Sequence, residues 1–173
     1  MLIDLMDIEM CGTTDEILEL CVSPMKNLLT KSEKDMMANL VDENDEDMIR
    51  NLGGGDVNKA KEQMLTNYLL YHLQMSAKTC ILHVFPSGKD LDSNEGFSLV
   101  GGYYQVIIEF ALQLIRQSLL NKSLSDNGNG TIKSISSNGR AVTFMSTVEA
   151  MEQAELPNSL KQRLPKPKRV RVW

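Results

Sequence analysis

Residues Val57–Lys78, VNKAKEQMLTNYLLYHLQMSAK, decide the fold class of this 173-residue chain. Their apolar side chains recur every three or four positions, which is the spacing of one face of an α-helix. A second long helix is predicted over Tyr103–Lys122, YYQVIIEFALQLIRQSLLNK, with an aliphatic face of its own. Upstream, Thr13–Glu16 forms a capping box that opens a shorter helix. The sequence therefore predicts a mainly α protein, folded as a helical bundle.

Four features leave the helix boundaries between and beside these segments open. Pro24 predicts either a kink in the first of the shorter helices or a second helix that begins there. Ser32 is expected to open another short helix. Gly53–Gly55 lacks the lysine and hydroxyl residue that complete a phosphate-binding loop, so it predicts a hinge. The run Cys80–Phe85 fits either an extension of the first long helix or a strand.

Beyond residue 130 the apolar period changes from 3.6 to 2. Two alternating segments, Thr131–Ser136 and Arg140–Met145, flank the short turn sequence Ser137-Asn-Gly139. This arrangement predicts a small β-hairpin over residues 131–145. Because two strands alone are marginally stable in water, we expect the hairpin to pack on the helices or to pair with another subunit.

The end of the chain has the opposite charge to the rest. Residues 157–173 carry six cations and no acid, whereas the whole chain has 18 Lys and Arg against 23 Asp and Glu. Residues 1–156 therefore hold 12 cations against 23 acids, a formal charge of −11. Pro157, Pro165 and Pro167 favour an extended backbone in the basic segment. We predict a helical domain over residues 1–156 and an extended basic C-terminal tail over residues 157–173 that contacts a partner.

The sequence carries no recognisable catalytic, cofactor or metal motif. The acid-rich run Asp42–Asp47 lacks the alternating ligands and central glycine of a calcium loop, and we interpret it as a solvated loop or a first helical turn. Only two histidines, His72 and His83, are present, which disfavours zinc, and His72 is interpreted as a core or interface residue. No serine- or cysteine-based catalytic pattern is found. We expect no enzyme activity, no cofactor and no metal.

Cysteine usage and hydropathy bear on the compartment. Cys11, Cys21 and Cys80 form no C-x-x-C pair and no even-numbered framework, so they are interpreted as reduced thiols of a cytosolic protein. The acid-containing start of the chain does not fit a signal peptide. No apolar run approaches the roughly 20 residues that cross a bilayer, so no membrane partner is expected.

Three segments in the last third of the chain form a recognisable order. Val106–Ile115, VIIEFALQLI, is an aliphatic helix around a small residue, and Ile132–Phe144, IKSISSNGRAVTF, is a hairpin that begins with Lys-Ser. Leu160–Trp173, LKQRLPKPKRVRVW, combines leucine, spaced cations and a last aromatic residue. In this order the three segments resemble the head–tail connector (adaptor) proteins of tailed bacteriophages, over Val106–Trp173.

The resemblance implies a non-enzymatic structural protein of the virion neck, assembled in the host cytoplasm. In such proteins the helical connector domain forms a homo-oligomeric ring around the DNA exit channel, usually of twelve copies under the portal protein. DNA passes through the lumen without specific binding. The C-terminal tail reaches the portal, and the opposite face receives a stopper or tail-completion protein.

The resemblance also suggests which residues make these contacts. A head-to-tail ring needs two different complementary surfaces on each subunit, and the hairpin and the basic tail are the candidates. The candidate portal-binding residues are Leu160, Arg163, Lys168, Arg169, Arg171 and Trp173. The candidate inter-subunit residues are Ile132, Ile135, Val142 and Phe144.

Two other functions remain open on the sequence. A small helical regulatory protein could bind a protein or a nucleic acid through the basic tail, although the acidic body would repel phosphate. A hydrolase could use a pair of carboxylates that only geometry would reveal.

Overall fold

The computed structural model describes residues 3–126, 132–135, 142–144 and 155–168, and most of them are helical. The helices are α1 (Leu5–Glu9), α2 (Thr14–Leu28), α3 (Lys31–Ala38), α4 (Glu46–Gly53), α5 (Val57–Val84), α6 (Asn94–Gly102), α7 (Tyr104–Asp126) and α8 (Asn158–Lys161). The strands are β1 (Ile132–Ile135) and β2 (Val142–Phe144). The predicted mainly α fold is confirmed.

The two strands form one antiparallel pair. Ile132 lies opposite Phe144 and Ile135 lies opposite Val142, with an irregular register between Ile132 and Ser134. Residues 136–141, which would form the turn, lie outside the described part of the chain. The hairpin over residues 131–145 and the inter-subunit role of its four apolar residues therefore stay predictions.

Helix α5 is the centre of the bundle, because it packs against α2, α3, α4 and α7. Its run Cys80–Val84 is helical, which decides between the two alternatives that the sequence left open. Cys80, Ile81 and Val84 are buried in line with Leu73 and Ala77, three or four residues apart, and so continue the same core-facing stripe. The other half of this core is the aliphatic face of α7, with Val106, Ile107, Phe110, Ala111, Leu114, Ile115 and Leu119.

Two buried hydroxyl contacts join α5 to α7. The Ser76 hydroxyl donates to the carbonyl oxygen of Ile107 over 2.7 Å. The Tyr68 hydroxyl and the Ser118 hydroxyl lie 2.5 Å apart and share a hydrogen bond. Because buried polar groups are costly unless they are hydrogen-bonded, these pairs fix the register of the two long helices.

The start of α2 follows the capping box at Thr13. The Thr13 hydroxyl accepts a hydrogen bond from the backbone N–H of Glu16 over 3.2 Å, as the sequence predicts. The helix continues through Pro24 to Leu28, so the alternative of a second helix beginning at Pro24 is wrong. The next helix, α3, is capped by Thr30 rather than opened at Ser32.

Gly53–Gly55 forms the turn between α4 and α5, where the sequence predicts a hinge. Gly54 has φ 62° and Gly55 has φ 101°, both in the left-handed region that favours glycine. The chain then turns directly into α5, whose first N–H groups are capped by Asp56. A Cβ atom on Gly53 would lie 2.5 Å from the backbone nitrogen of Ala60, so α4 and α5 touch through their backbones here.

We expect Gly53→Ala to lower the free energy of unfolding by about 2 kcal/mol, because the added methyl group overpacks a contact with backbone atoms. Gly102→Ala is the matched control, since a Cβ atom there meets nothing within 4 Å. Urea denaturation of both variants measures the difference. Equal stabilities of the two variants would contradict the close approach of α4 and α5.

The acid-rich run Asp42–Asp47 lies where the sequence placed it, in a loop and a first helical turn. The Asp45 carboxylate accepts from the backbone N–H of Met48 and caps α4. Glu43 pairs with Lys61 of α5 over 2.7 Å. Two of its acids are thus used for capping α4 and for an ion pair with α5.

The described part of the predicted tail belongs to the bundle, and this corrects the extended tail over residues 157–173. Leu156, Leu160 and Leu164 are buried in the main core, and α8 lies between the first and the last of them. Four-residue spacing places the three leucines on one side of the segment, which buries them together. Residues 169–173 lie outside the described part of the chain.

Within the described ranges, no single helix has the length and apolar character to cross a bilayer. Only the pair Asn94–Gly102 and Tyr104–Lys122, bent by 81° where the two helices meet, passes a test of length and composition when it is taken together.

Candidate functional site

The candidate site is built around residues 155–168, which we call the C-terminal strap. After α8 the strap passes Leu164 and becomes extended, and the backbone N–H of Lys168 donates to the carbonyl oxygen of Val84 over 2.8 Å. Val84 is the last residue of α5, where helical carbonyl groups lack a partner within the helix. The strap therefore supplies a hydrogen-bond donor for a carbonyl group at the end of α5, and this bond holds the strap in place.

The candidate portal-binding residues have different environments on this strap. Leu160 is 5% exposed and is part of the core of the subunit, and its contact with a partner stays a prediction. Arg163 is exposed and pairs with Glu109 of α7. Lys168 is exposed at the end of the strap. Arg169, Arg171 and Trp173 lie outside the described part of the chain, and their role stays a prediction.

The end of the strap forms one wall of a cleft, which we call the strap groove. The groove has a volume of about 430 Å³. Its lining residues come from the end of α5, from α6 and from the strap: Val84, Phe85, Asn94, Glu95, Ser98, Leu99, Tyr103, Pro165 and Lys168. Val84 and Leu99 are buried, whereas Asn94, Glu95 and Ser98 are exposed. The groove thus has an apolar floor and a polar rim.

A cation and an aromatic ring meet at the mouth of the strap groove. The Lys168 ammonium nitrogen lies 5.4 Å from the centre of the Phe85 ring. At this distance the negative face of the ring attracts a cation. The same position would suit another cation or an aromatic side chain.

The charged side chains that line the strap groove are one acid and one cation, Glu95 and Lys168. Lys89 approaches Glu95 at 3.8 Å. Asp90 and Asp92 line a separate cleft, together with Lys78 and Lys89. The groove is therefore an apolar cleft whose rim has balanced charge.

No helix was predicted between Phe85 and Tyr103 from the sequence, which is why this groove was missed. Helix α6 begins inside that stretch, with the Ser93 hydroxyl accepting from the backbone N–H of Gly96 over 3.0 Å. Ser93 followed by Asn94 and Glu95 is an N-terminal signal that could have located α6. The strap was missed because its four cations and three prolines were interpreted as signs of an extended tail, although Leu156, Leu160 and Leu164 are spaced four residues apart.

His72 occupies the core, as expected, and not a ligand site. It is fully buried, and its Nδ1 lies 2.7 Å from the carbonyl oxygen of Tyr68. Its Nε2 has no hydrogen-bond partner among the described residues. Burial lowers the pKa of the His72 imidazole, which the hydrogen bond to Tyr68 only partly offsets. Since Nδ1 donates to a carbonyl, Nε2 carries no proton in the neutral ring.

We expect the protein to lose stability as the pH falls below about 6.5, the ordinary pKa of histidine in an unfolded chain. The folded state holds His72 at a lower pKa, so the unfolded state binds the proton first. Stability is therefore complete above this pH and declines below it, by up to about 1.4 kcal/mol per pH unit. Urea denaturation between pH 8 and 5 measures the slope.

The matched variants for this test are His72→Phe and His83→Gln. His83 is half-buried, and partial burial together with the charge of Lys161 lowers its pKa. His72→Phe should remove most of the pH dependence of the free energy of unfolding, and His83→Gln should leave most of it. A slope unchanged by His72→Phe would assign the pH dependence to other groups.

The cysteines and acids of the described chain form no reactive cluster. Burial raises the pKa of Cys21 and of Cys80 to about 12 each, so both thiols stay protonated and unreactive. Within the described ranges, no group of three or more His, Cys, Asp and Glu side chains could hold a metal ion.

Comparisons with protein-family models, with curated proteins and with solved structures find no match to this chain.

Proposed function

We propose that this chain is a structural virion protein, a head–tail connector that forms a multimeric ring between the portal protein and a stopper or tail-completion protein. The basic residues at the end of the chain bind the portal. The bundle forms the ring wall, and the DNA passes through the lumen. The protein works in the virion neck without catalysis.

The observation that carries this proposal is the fixed exit of the basic segment. Leu160 and Leu164 hold the strap in the core, and Lys168 is bonded to the end of α5. Lys168 therefore has one defined place in every subunit, and Arg169–Trp173 follow it in the sequence. A ring of such subunits presents a circle of Arg and Trp side chains, which are the residue types most often found at interface hot spots.

The ring contacts are assigned to two different surfaces. One is the predicted hairpin, with Ile132, Ile135, Val142 and Phe144 as its apolar residues. The other is α1 with its C-cap residue Met10, where the side chains of Leu5, Met6 and Met10 are 66%, 67% and 83% exposed. Large apolar side chains at these exposures, grouped on one short helix, are typical of a contact surface. A head-to-tail ring closes when two such surfaces on neighbouring subunits complement each other.

The charge of the body fits a conduit for DNA. Residues 1–156 have a formal charge of −11, which repels phosphate over about 10 Å at ordinary salt concentration. A lumen of this sign lets the duplex pass without holding it.

Light scattering and negative-stain microscopy of the purified protein, alone and with the portal protein of the same phage, test the proposal. Rings that join portal particles support it. A protein that stays monomeric and never joins a portal particle would contradict it. Strong binding to duplex DNA that weakens steeply with salt and is lost when residues 157–173 are removed would instead favour the helical regulator.

A further inference from the structure

We propose that the strap groove of one copy of this chain receives helix α1 of a second copy. The side chains that dock are Leu5, Met6 and Met10, which are the most exposed large apolar side chains of the described chain. An exposed apolar helix face and an apolar cleft both gain from removal of their surface from water. Contact between two copies covers both surfaces at once.

The docking face of α1 is apolar with one acid among its side chains. Glu9 lies four residues after Leu5 and three after Met6, so it shares their side of the helix. Met10 lies four residues after Met6 and extends the same face. Ile8 is buried in the main core and holds α1 in place. Methionine side chains are unbranched and adapt to clefts of irregular shape.

The strap groove offers an apolar surface of the required size. Phe85, Tyr103 and Pro165 are half-buried in its lining, together with the buried side chains of Val84 and Leu99. Its volume of about 430 Å³ lies in the range of about 300–1,000 Å³ that encloses small organic ligands. Such ligands are larger than a methionine side chain, so the groove has room for more than one of the three side chains.

The charges of the two segments favour this pairing over a contact between two α1 helices. Residues 4–10 hold three acids and no cation, whereas residues 157–168 hold four cations and no acid. Two copies of α1 placed together would bring six acids to one contact, which like-charge repulsion disfavours. The strap has the opposite charge and lies beside an apolar cleft, so this chain itself supplies the complementary surface for α1.

One cation of the strap stands where α1 would bring its acid. Lys168 lines the groove and is exposed, and Lys166 is exposed on the same strap. The rim acid Glu95 already has the ammonium group of Lys89 at 3.8 Å. Docking of α1 therefore pairs Glu9 with Lys168 at the edge of the apolar contact.

Sedimentation velocity of the purified protein without any partner, over a range of concentrations, measures this association. The double change Met6→Gln and Met10→Gln should weaken it by about tenfold for each side chain, and Ser98→Phe, which fills the groove, should weaken it to a similar extent. Leu120→Gln is the matched control, because Leu120 is an exposed apolar side chain of α7 that does not line the groove. Circular dichroism confirms that each variant keeps its helices.

Mixing two defective variants locates the contact. The variant with both methionine changes keeps its groove, and Ser98→Phe keeps its α1. Each should be mainly monomeric alone at a concentration where the unchanged protein associates, and the mixture should form dimers with one copy of each.

A charge exchange tests the ionic part of the contact. Glu9→Lys and Lys168→Glu should each weaken association, because each places like charges together. The protein that carries both changes should regain association, since the pair is restored with its signs reversed.

Three outcomes would overturn the inference. The first is a protein that stays monomeric at its highest soluble concentration. The second is association that is unchanged by the methionine variant and by Ser98→Phe. The third is a mixture of these two variants that forms no dimers.

Only closure of this contact into a ring rests on the proposed function, and the two can fail separately. A protein that is monomeric alone but joins portal particles would overturn the contact and keep the proposed function. Association through α1 and the groove that stops at two copies would support the contact and contradict the ring.

Discussion

Ending the chain after Leu156 is expected to lower the free energy of unfolding by about 4–8 kcal/mol, because truncation of a buried leucine costs about 2–4 kcal/mol and two are lost. Leu160 and Leu164 are 5% and 7% exposed and belong to the main core. The truncation also removes the hydrogen bond from Lys168 to the end of α5. A loss of this size approaches the whole stability of an ordinary domain, so the shortened protein should be largely unfolded.

A chain that ends after Lys168 is the matched control. It keeps the strap and loses only Arg169–Trp173, so its urea midpoint should lie close to that of the full chain. If the chain ending after Leu156 has no measurable folded state, Leu160→Ala tests the same contact, and it should lower the free energy of unfolding by about 2–4 kcal/mol. Equal stability of the full chain and of the chain ending after Leu156 would show that the strap is not part of the core.

Removing Val170–Trp173 is expected to weaken attachment to portal particles by on the order of a thousandfold. Arg and Trp hot spots cost about 2 kcal/mol or more each when they are truncated, and every 1.4 kcal/mol is about a factor of ten in affinity. The fold should be unaffected, since the described core ends with the strap. Co-sedimentation with purified portal particles measures the loss.

Single substitutions separate the contributions to attachment. Trp173→Ala should account for most of the effect, and Arg171→Ala for most of the remainder. Lys166→Ala is the control, because Lys166 is an exposed cation of the strap and is not one of the candidate contacts. If the shortened chain attached as well as the full one, the docking element would have to lie elsewhere on the subunit.

Much of the bundle could be predicted because its long helices are decided by local patterns. The stripes of Val57–Lys78 and Tyr103–Lys122 have the helical period over many turns, and Thr13 and Asp45 cap helices through side chains next to them in sequence. Such signals depend on neighbours within four residues. They can be recognised in the sequence without knowledge of the tertiary contacts.

The strap could not be predicted from charge and proline content, because its place depends on a distant surface. The cations of the strap indicate a solvent-exposed segment, whereas Leu160 and Leu164 lie on the side that packs against the bundle. The Lys168 contact joins residues 84 positions apart in sequence. The requirement for glycine at position 53 could not be predicted for the same reason. It follows from the close approach of the Ala60 backbone, which belongs to another helix.

The most direct test of the account is an image of the protein bound to its portal, recorded by electron microscopy at a resolution that shows whole subunits. The account predicts an annulus of helical subunits on the portal, with the strap end of every subunit against the portal surface. A single bound copy, or an annulus whose strap ends face away from the portal, would contradict it.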